Sequence, residues 1–594
     1  MSSHWRTSLS APRQALILFV GTGGLLILLP SLPSLITPLP RSPYFPLSVE
    51  VLVLVTAVVY AGRTRWDQPV RVGAGVGLGL LLLYEAYDAT VHAAFRRSGM
   101  VYEDLQLVDN LGYFLLDLWS WRTAGAGLLL LAALIGLGLL VRWGLRTLSR
   151  TGHYGGCRAL LLAAHLVAWP LVGVVGPALE LGPVNLTYQS SGERTRVRTP
   201  TTRAVANVKA SLHLATMLDS LRTAPVDSSY AAYDTLSLDR RPPIYLLMIE
   251  SYGSALNAHP DLRAPYRTLM QHTDSVFAAD GWHRATARCE IPVRGGRSWL
   301  SIASFLTGTR VEHQLLYNQF QDAALRDSTE TPHLVHFLNR QGYRTLALQP
   351  FTFERPGLPV RNLYDFDTTI YRNDLNYRGP SYGLADAPDQ YSLHYTHETY
   401  LQPSADPFVL FFETVDSHSL WNYGLPPYPA DWRQFNTQAK APHSPRSDSA
   451  TGPPVFLPDS ITSPTIYDQP TRFRYLRHVA HEWRVLREYL TEKAPPGSLV
   501  LLMGDHQPPL IETTDSTVPV HVLSTDPTLV DRVRQRGFTD GLLPTDASPR
   551  LRQEGLYSFL VRLLAAHDRA GPAADTTELP PLKPKGVSPS LLVR

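Results

Sequence analysis

The sequence predicts two parts with different architectures: a helical membrane domain of five spans, followed by an α/β domain with a mostly parallel sheet between helices. Three observations predict this. Long apolar runs fill the first third of the chain, short apolar runs then alternate with helical stretches, and polar residues follow the short runs directly. We place the membrane domain at residues 1–181, a juxtamembrane helical linker at 182–240, the α/β domain at 241–570 and a Pro-rich tail at 571–594.

The composition excludes several classes of protein. The 594 residues carry a net charge of only +3, which argues against a nucleic-acid partner because such a partner requires a basic surface. The mean hydropathy of −0.08 averages an apolar first part with a polar remainder. Only two cysteines are present, Cys157 and Cys289, so neither a disulfide framework nor a cysteine-based zinc site is expected. Any metal must therefore be bound by Asp, Glu, His or hydroxyl groups.

Five apolar segments are predicted as membrane spans. The first has 22 residues without a charge, which matches a hydrocarbon core of about 30 Å. Nine arginines flank one side of the predicted spans and four flank the other, which places the N-terminus in the cytoplasm and everything after the fifth span outside. The predicted spans are residues 15–36, 47–61, 72–92, 123–141 and 159–179.

Ionisable residues occur within these segments, namely Glu50, Glu85, Asp88 and His165. Charges inside a membrane are often functional, and a passage for lipid head groups is one interpretation. The alternative is that Glu50 and Asp88 lie near the ends of their spans and reach the interface.

The second part of the chain alternates short apolar runs with helical patterns. We predict buried strands at 244–249, 343–348, 408–412 and 499–503, and helices at 332–340 and 472–490. In open α/β sheets the ligand binds at the carboxyl ends of the strands, so residues that follow the runs are expected to meet at one edge. These residues are Glu250, Asp416, His418, Asp505 and His506.

A further motif places a serine at the start of a helix. Gly295 and Gly296 precede Ser298, apolar residues follow at helical spacing, and Gly308 closes the pattern. The N–H groups and the positive dipole end of a helix N-terminus suit a phosphate and stabilise an ionised serine. The alternative is a serine that only caps the helix.

Three motifs in this order resemble a known family. They are residues 248–251 (MIES), 295–298 (GGRS) with 306–308 (LTG), and 504–506 (GDH). Together they resemble the alkaline phosphatase and sulfatase superfamily, specifically its membrane-anchored bacterial branch of lipoteichoic acid synthases and phosphoglycerol or phosphoethanolamine transferases. The resemblance implies an alkaline-phosphatase-like domain outside the bacterial cytoplasmic membrane, anchored by several spans.

The resemblance also implies a set of site residues. One divalent metal would be held by Glu250, Ser298, Asp505 and His506, with Ser298 as the nucleophile. Oxygen ligands with one imidazole favour Mn²⁺, with Zn²⁺ or Mg²⁺ as alternatives. No second set of Asp and His residues is placed as clearly. Contacts to the substrate are implied for His418, which can also assist proton transfer, and for Arg297, Arg355 and Arg361.

A sulfatase with a modified cysteine is excluded by spacing. Ser298 stands eight residues before Leu306, the distance that the sulfatase pattern requires, whereas Cys289 stands 17 residues before it. We therefore expect an unmodified serine nucleophile and a buried, apolar role for Cys289.

These inferences predict a transferase that moves a phosphate-linked head group from a membrane lipid, through a phospho-serine, to a glycan or lipid acceptor. Two alternatives stay open. One is a phosphatase, phosphodiesterase or sulfatase that uses the same site with water as acceptor. The other is a non-catalytic membrane scaffold or sensor, against which the complete set of ligand residues argues.

Overall fold

The computed structural model describes most of the chain, which divides into two compact units, residues 1–216 and 217–594. The described residues are 11–33, 48–95, 97–105, 121–170, 200–225, 229–233, 235–326, 333–352, 363–382, 385–402, 404–419, 421, 424–437, 471–511, 513, 515–545, 550–569 and 579–592.

The first unit is helical. Its helices are α1 (Ala11–Leu28), α2 (Val49–Ala61), α3 (Asp67–Phe95), α4 (Val101–Asp104), α5 (Trp121–Thr151), α6 (Gly155–Pro170) and α7 (Pro200–Thr223), within which the division between the units falls.

Three helical segments in the described residues are long and apolar enough to cross a membrane: Ala11–Leu28, Asp67–Phe95 and Gly127–Thr151. α2 and α6 are apolar but shorter, and the residues that follow α6 in the fifth predicted span lie outside the described part of the chain. Every predicted span thus falls at least partly on an apolar helix, but only three of these helices are long enough, within the described residues, to cross a membrane. The count of five stays a prediction.

Acidic residues buried in the first unit pair with an arginine of α7. Glu85 and Asp88 are almost completely buried on α3, where Arg203 forms a hydrogen-bonded ion pair with Glu85 and approaches Asp88 Oδ2 at 3.8 Å. Asp88 Oδ1 also accepts a hydrogen bond from Gly99 N at 2.8 Å. The ion pair with Arg203 is enough to explain the burial of Glu85 and Asp88, because a buried carboxylate is stabilised by a paired cation. Neither a passage for lipid head groups nor contact with the membrane interface is needed.

The second unit is a mixed α/β domain. Its strands are β1 (Ile244–Ile249), β2 (His283–Glu290), β3 (Arg344–Gln349), β4 (Thr368–Tyr371), β5 (Phe408–Glu413), β6 (Leu499–Gly504), β7 (Thr517–Ser524), β8 (Thr539–Asp540) and β9 (Arg550–Arg552). Its helices are α8 (Ala255–Ala258), α9 (Pro260–Ala279), α10 (Ser298–Thr307), α11 (Gln314–Arg326), α12 (Leu334–Arg340), α13 (Asp389–Thr396), α14 (Thr471–Lys493), α15 (Pro527–Arg534) and α16 (Gly555–Asp568).

The strands form one sheet in the order β4-β3-β5-β1-β6-β7-β2-β8, with β9 also paired to β2. The four strands predicted from apolar runs are confirmed to within one residue, and they form the parallel half of the sheet together with β4. The other half is antiparallel where β7 pairs with β6 and β2, and where β8 pairs with β2. The sheet is therefore mixed, whereas the sequence predicted a mostly parallel one. The prediction missed the antiparallel part because β2, with the sequence HRATARCE, is too polar to be identified from hydropathy.

β1 lies between β5 and β6, near the middle of the whole sheet, and all six of its residues are buried. Helices α9 and α14 pack against each other beside the sheet, where Leu247, Phe277 and Trp483 belong to one continuous apolar core. A strand buried on both faces reads as an unbroken apolar run, which is why β1 could be recognised from sequence. Cys289 lies in β2 and is buried, as predicted.

The C-terminal tail is partly packed. Residues 579–592 are described, Leu592 is fully buried, and Val587 N donates a hydrogen bond to Gly308 O at 2.9 Å. This segment is therefore packed against the domain despite its proline content, because it returns to cover the end of α10.

Candidate active site

Three acidic side chains meet where three neighbouring parallel strands end. In the order β5-β1-β6, Glu413 is the last residue of β5, Glu250 follows β1 directly, and Asp505 follows β6 directly. The strand register pairs Met248 with Glu413 and Ile249 with Gly504, so the three carboxyl groups reach the same edge of the sheet. All three are at least 95 % buried. The predicted convergence of strand-end residues is confirmed for Glu250 and Asp505.

Ser298 is brought to this edge by the start of α10. The helix begins at Ser298 after Gly296 and Arg297, both in the left-handed region with φ of 56° and 61°. Gly308, with φ of 64°, follows its last residue. Ser298 is thus the first helical residue rather than the cap, and its hydroxyl does not cap the helix. A left-handed arginine costs of order 1 kcal/mol, which is consistent with a turn shaped to present Ser298.

The hydroxyl of Ser298 points to the acidic cluster. Ser298 Oγ donates a hydrogen bond to Glu250 Oε2 at 3.1 Å, and Ser251 Oγ donates one to Glu250 Oε1 at 2.7 Å. Ser251 N donates to Asp505 Oδ1 at 2.7 Å, which links the loops that follow β1 and β6. Glu250, Asp505 and His506 each offer one ligand atom, and these atoms lie within 4.8 Å of one another.

His506 has a fixed orientation within the cluster. Its Nδ1 lies 2.9 Å from Gln507 O, and because a carbonyl can only accept, Nδ1 carries the proton. Nε2 of the neutral ring then presents a lone pair to Asp505 Oδ2 at 3.2 Å and to Glu250 Oε1 at 3.4 Å. Histidine ligands of metal ions commonly have this arrangement: one ring nitrogen faces the other ligands, and the second nitrogen donates to a backbone carbonyl.

Close backbone packing positions the loop that carries Asp505 and His506. A Cβ on Gly504 would lie 1.8 Å from Tyr252 O, so only glycine fits between β6 and the turn after β1. Ser301 Oγ, one turn into α10, donates a hydrogen bond to Asp505 O at 2.7 Å. The helix that presents Ser298 is therefore fixed directly to the loop that presents Asp505.

The protonation of these groups follows from burial and mutual charge. Burial alone would raise the pKa of Glu250, but His506 and His418 hold it below its ordinary value. Burial and the charge of Glu250 raise the pKa of Asp505 well above its usual range and that of Glu413 to about 8. Burial lowers the pKa of His506, and the charge of Glu250 opposes this shift. Glu250 thus favours its charged form, whereas burial favours the protonated forms of Asp505 and Glu413.

The cluster fits a divalent cation. Asp505 Oδ2 and His506 Nε2 are buried, and neither has a hydrogen-bond partner. Such buried polar atoms are costly unless something else satisfies them. Two carboxylates, one hydroxyl and one imidazole form a donor set suited to Mn²⁺ or Zn²⁺.

The remaining predicted site residues are partly accounted for. His418 lies in the loop after β5, half-exposed, with Nδ1 2.5 Å from Ser419 O, and it is close enough to Glu250 to lower the pKa of that carboxyl. Arg297 is buried beside His506 and contributes to lowering the pKa of His506. Arg355 and Arg361 lie outside the described residues.

Sequence reasoning did not single out Glu413 or Ser417. Glu413 ends β5 beside Glu250, and Ser417 Oγ donates a hydrogen bond to Glu250 O at 2.7 Å. The available signal for Glu413 was its position directly after an apolar run, the same signal that identified Glu250. Nothing in the sequence marks Ser417, because its role depends on the loop after β5 folding over β1.

The fold and the cluster together define a class of site: an α/β domain with a serine hydroxyl, carboxylates and an imidazole gathered at the ends of parallel strands. No family model and no curated protein sequence matches the chain. Among solved structures, the chain is similar to the lipooligosaccharide phosphoethanolamine transferase EptA from Neisseria meningitidis, at 11% identity and a TM-score of 0.44, over 93% of this chain and 95% of that one.

Two further solved structures are similar over the larger part of the chain. The lipoteichoic acid synthase LtaP from Listeria monocytogenes aligns at 12% identity and a TM-score of 0.34, over 64% of this chain and 81% of that one. The phosphoglycerol transferase GacH from Streptococcus pyogenes aligns at 10% identity and a TM-score of 0.32, over 62% and 88%. Likeness at this level does not define an activity, so a function has to be argued from the residues of the site.

Proposed function

We propose that the chain is a metal-dependent transferase that moves a phosphate-linked head group, of the phosphoglycerol or phosphoethanolamine kind, from a membrane lipid to a glycan or lipid acceptor of the cell envelope. The observation that carries this proposal is the hydrogen bond from Ser298 Oγ to Glu250, in a cluster where Asp505 and His506 keep buried atoms without partners. A hydroxyl held against a candidate metal site is the arrangement of an activated nucleophile.

The metal site would consist of Glu250, Ser298, Asp505 and His506, with Mn²⁺ as the preferred ion. When bound, the cation would lower the pKa of the serine hydroxyl and neutralise charge on the phosphoryl oxygens. The ligands are buried, whereas Ser298 is only half-buried. The nucleophile is therefore the accessible member of the set, as a reaction with an external phosphodiester requires.

The chemistry proceeds in two displacements. Ser298 releases its proton to solvent water and attacks the phosphorus, the bond from phosphorus to the lipid oxygen breaks, and a phospho-serine forms as diacylglycerol or a similar alcohol leaves. His418, half-exposed beside the cluster, is placed to give a proton to that leaving oxygen and later to take one from the acceptor hydroxyl. Attack by the acceptor then restores Ser298. Arg297, Arg355 and Arg361 are proposed to hold the phosphate oxygens.

Apolar helices in the same chain support a lipid donor. At least three segments could cross a membrane, and tethering a site to the surface that holds its substrate raises the effective concentration of that substrate. We place the helical part, as five spans at 1–181, in a bacterial cytoplasmic membrane and the linker, catalytic domain and tail outside it, with boundaries after 240 and 570.

The test is head-group transfer by the purified full-length protein in liposomes that contain a labelled donor lipid. Ser298→Ala should lower transfer by at least about 10³-fold, whereas Ser298→Thr, which keeps a hydroxyl, should stay active. Ser275→Ala, a serine on the exposed face of α9, is the matched control and should leave transfer unchanged. Normal transfer by Ser298→Ala would show that another group is the nucleophile.

A second experiment separates transfer from hydrolysis. The reaction is quenched to trap a phosphorylated Ser298, and a hydroxyl acceptor is then added to an unquenched sample. A transferase sends the head group to the acceptor, whereas a hydrolase gives the same amount of water-derived product with and without it. A metal-loaded protein that forms no adduct and turns over no lipid would instead be a scaffold.

A further inference from the structure

A second group of buried acids lies outside the candidate active site. Asp389 begins α13, Asp416 lies in the loop after β5, and Glu482 lies in the middle of α14. Each offers one carboxylate oxygen, and these three atoms lie within 4.8 Å of one another. The exposed fractions of the three residues are 0 %, 3 % and 0 %. Three elements distant in sequence thus bring three carboxyl groups to one point in the interior.

Backbone groups fix the orientation of two of these acids. Asp389 Oδ2 accepts hydrogen bonds from Val415 N at 2.6 Å and Asp416 N at 2.7 Å, and Asp416 Oδ2 accepts one from Asp389 N at 3.1 Å. Asp389 Oδ1 and both carboxylate oxygens of Glu482 are buried and accept no hydrogen bond. Glu482 instead faces the carboxyl group of Asp389. Two acids that face each other require either shared protons or a cation between them.

A histidine is aimed at the same point. His481 Nε2 lies 3.5 Å from Asp416 Oδ2, and it has no hydrogen-bond partner although His481 is only 3 % exposed. Among the described residues, no lysine or arginine forms an ion pair with any of the three acids. Shared protons could satisfy two facing acids, but they do not explain why a third carboxylate and an imidazole lie at the same point.

We propose that Asp389, Asp416, Glu482 and His481 form a second divalent-cation site, distinct from the one built on Glu250, and that it binds Mn²⁺. Three carboxylates offset the charge of a divalent ion and so lower the free energy cost of burying it. One imidazole with oxygen ligands suits Mn²⁺ better than Mg²⁺ or Ca²⁺. Because no substrate could reach a fully buried ion, the site is structural.

The position of the site indicates what it stabilises. Asp416 belongs to the same loop as Ser417, whose hydroxyl is bonded to Glu250 O, and His418, which faces the candidate active site. His478 of α14 adds a contact from Nδ1 to Asp416 O at 2.7 Å. A cation here joins α13 and α14 to the loop after β5, and so holds the loop that shapes the active site.

The test is the metal content of the full-length protein, purified with a chelator, reloaded with Mn²⁺ and desalted. We expect two Mn²⁺ per chain by inductively coupled plasma mass spectrometry. The double variant Asp505→Asn/His506→Gln should retain one, and Glu482→Gln should also retain one. Glu488→Gln, on the same helix but partly exposed, is the matched control and should retain two.

The double variant Asp505→Asn/His506→Gln tests the proposal without altering the residues of the second site. If it retains one Mn²⁺ and if added Mn²⁺ raises its melting temperature, the second site exists even if Glu482→Gln fails to fold. If it holds no Mn²⁺ and its melting temperature does not respond, the acids are held by shared protons and the proposal is wrong. Two ions retained by a folded Glu482→Gln variant would also overturn it.

Discussion

Ser298 donates a hydrogen bond across 3.1 Å to Glu250, a residue 48 positions earlier in the chain. One residue follows the central strand of the sheet and the other begins a helix, so the contact exists only if β1 and α10 are placed correctly relative to each other. The same carboxylate accepts a second hydrogen bond from Ser251 and lies 3.4 Å from His506. Glu250 is therefore the point at which nucleophile, carboxylate and imidazole meet.

The first prediction concerns this carboxylate. Glu250→Gln keeps the size of the side chain and an oxygen for Ser298, but removes the charge that a cation requires. We expect it to lose Mn²⁺ from the active site and to lower head-group transfer by at least about 10²-fold, measured by metal analysis and a lipid assay.

Glu492→Gln, an exposed residue on α14, serves as the control and should change neither quantity. Full metal content in a folded Glu250→Gln protein would show that Glu250 is not a ligand.

The second prediction concerns the glycine before Asp505. A Cβ at position 504 would lie 1.8 Å from Tyr252 O and 3.1 Å from Val518 Cβ, so Gly504→Ala must displace the backbone of β6 or of the turn after β1. We expect a loss of about 1–3 kcal/mol in unfolding free energy, together with weaker Mn²⁺ binding, because Asp505 moves with the loop. Thermal unfolding and metal titration measure the two effects.

Gly79→Ala is a suitable comparison, because its added Cβ meets nothing within 4 Å, and it should lower neither the stability nor the affinity for Mn²⁺. A Gly504→Ala variant with normal stability and metal affinity would show that the loop tolerates the shift.

Which parts of the site could be predicted from sequence depends on whether a local pattern marks them. Glu250 and Asp505 were identifiable because each follows an unbroken apolar run, and Ser298 because glycines precede it at the start of a helical pattern. These signals involve only a few neighbouring residues, and the structure places all three together. The antiparallel half of the sheet carries no such signal, since β2 alternates polar and apolar residues and β7 contains Pro519 and His521.

Other residues could not be predicted because their role arises only from tertiary contacts. Glu482 occurs in a helix with many charged residues, and nothing local shows that it is buried whereas Glu488 is not. Arg203 and Glu85 form an ion pair across 118 positions. A charged residue in a helical sequence is normally solvated, so its burial can be recognised only when the packing is known.

The third prediction is a pH dependence of stability that arises from His521. This side chain is fully buried, with Nδ1 2.8 Å from Thr286 Oγ1 and Nε2 3.2 Å from the Tyr252 hydroxyl, and burial lowers its pKa to about 3. The unfolded chain binds a proton near pH 6.5, so the unfolded state gains protons first and stability falls as the pH drops from 6.5 toward 3. At pH 5 the loss from this group is about 2 kcal/mol.

The measurement compares His521→Gln with the wild type at pH 7 and pH 5. Because the variant cannot titrate, the gap in unfolding free energy between the two proteins should narrow by about 2 kcal/mol at the lower pH. Tyr252→Phe removes the hydroxyl next to Nε2 but keeps the histidine, so its gap from the wild type should stay constant. A constant gap for His521→Gln would show that His521 does not titrate differently on folding.

The fourth prediction concerns the buried charges of the first unit. Arg203 is 7 % exposed and Glu85 is fully buried, so removal of either partner leaves the other charge buried without this ion pair. We expect Arg203→Met to lower the unfolding free energy by about 3–5 kcal/mol, because Glu85 and Asp88 would then share the interior without this cation. The double variant Arg203→Met/Glu85→Gln should recover much of that loss, since the buried charge of Glu85 is removed together with that of Arg203 and Asp88 keeps its bond from Gly99 N.

The measurement is the unfolding free energy of the full-length protein in detergent. The single variant Glu85→Gln completes the double-mutant cycle. A coupling energy near zero would mean that the two side chains do not interact in the folded protein, and that the charges of α3 are satisfied in another way.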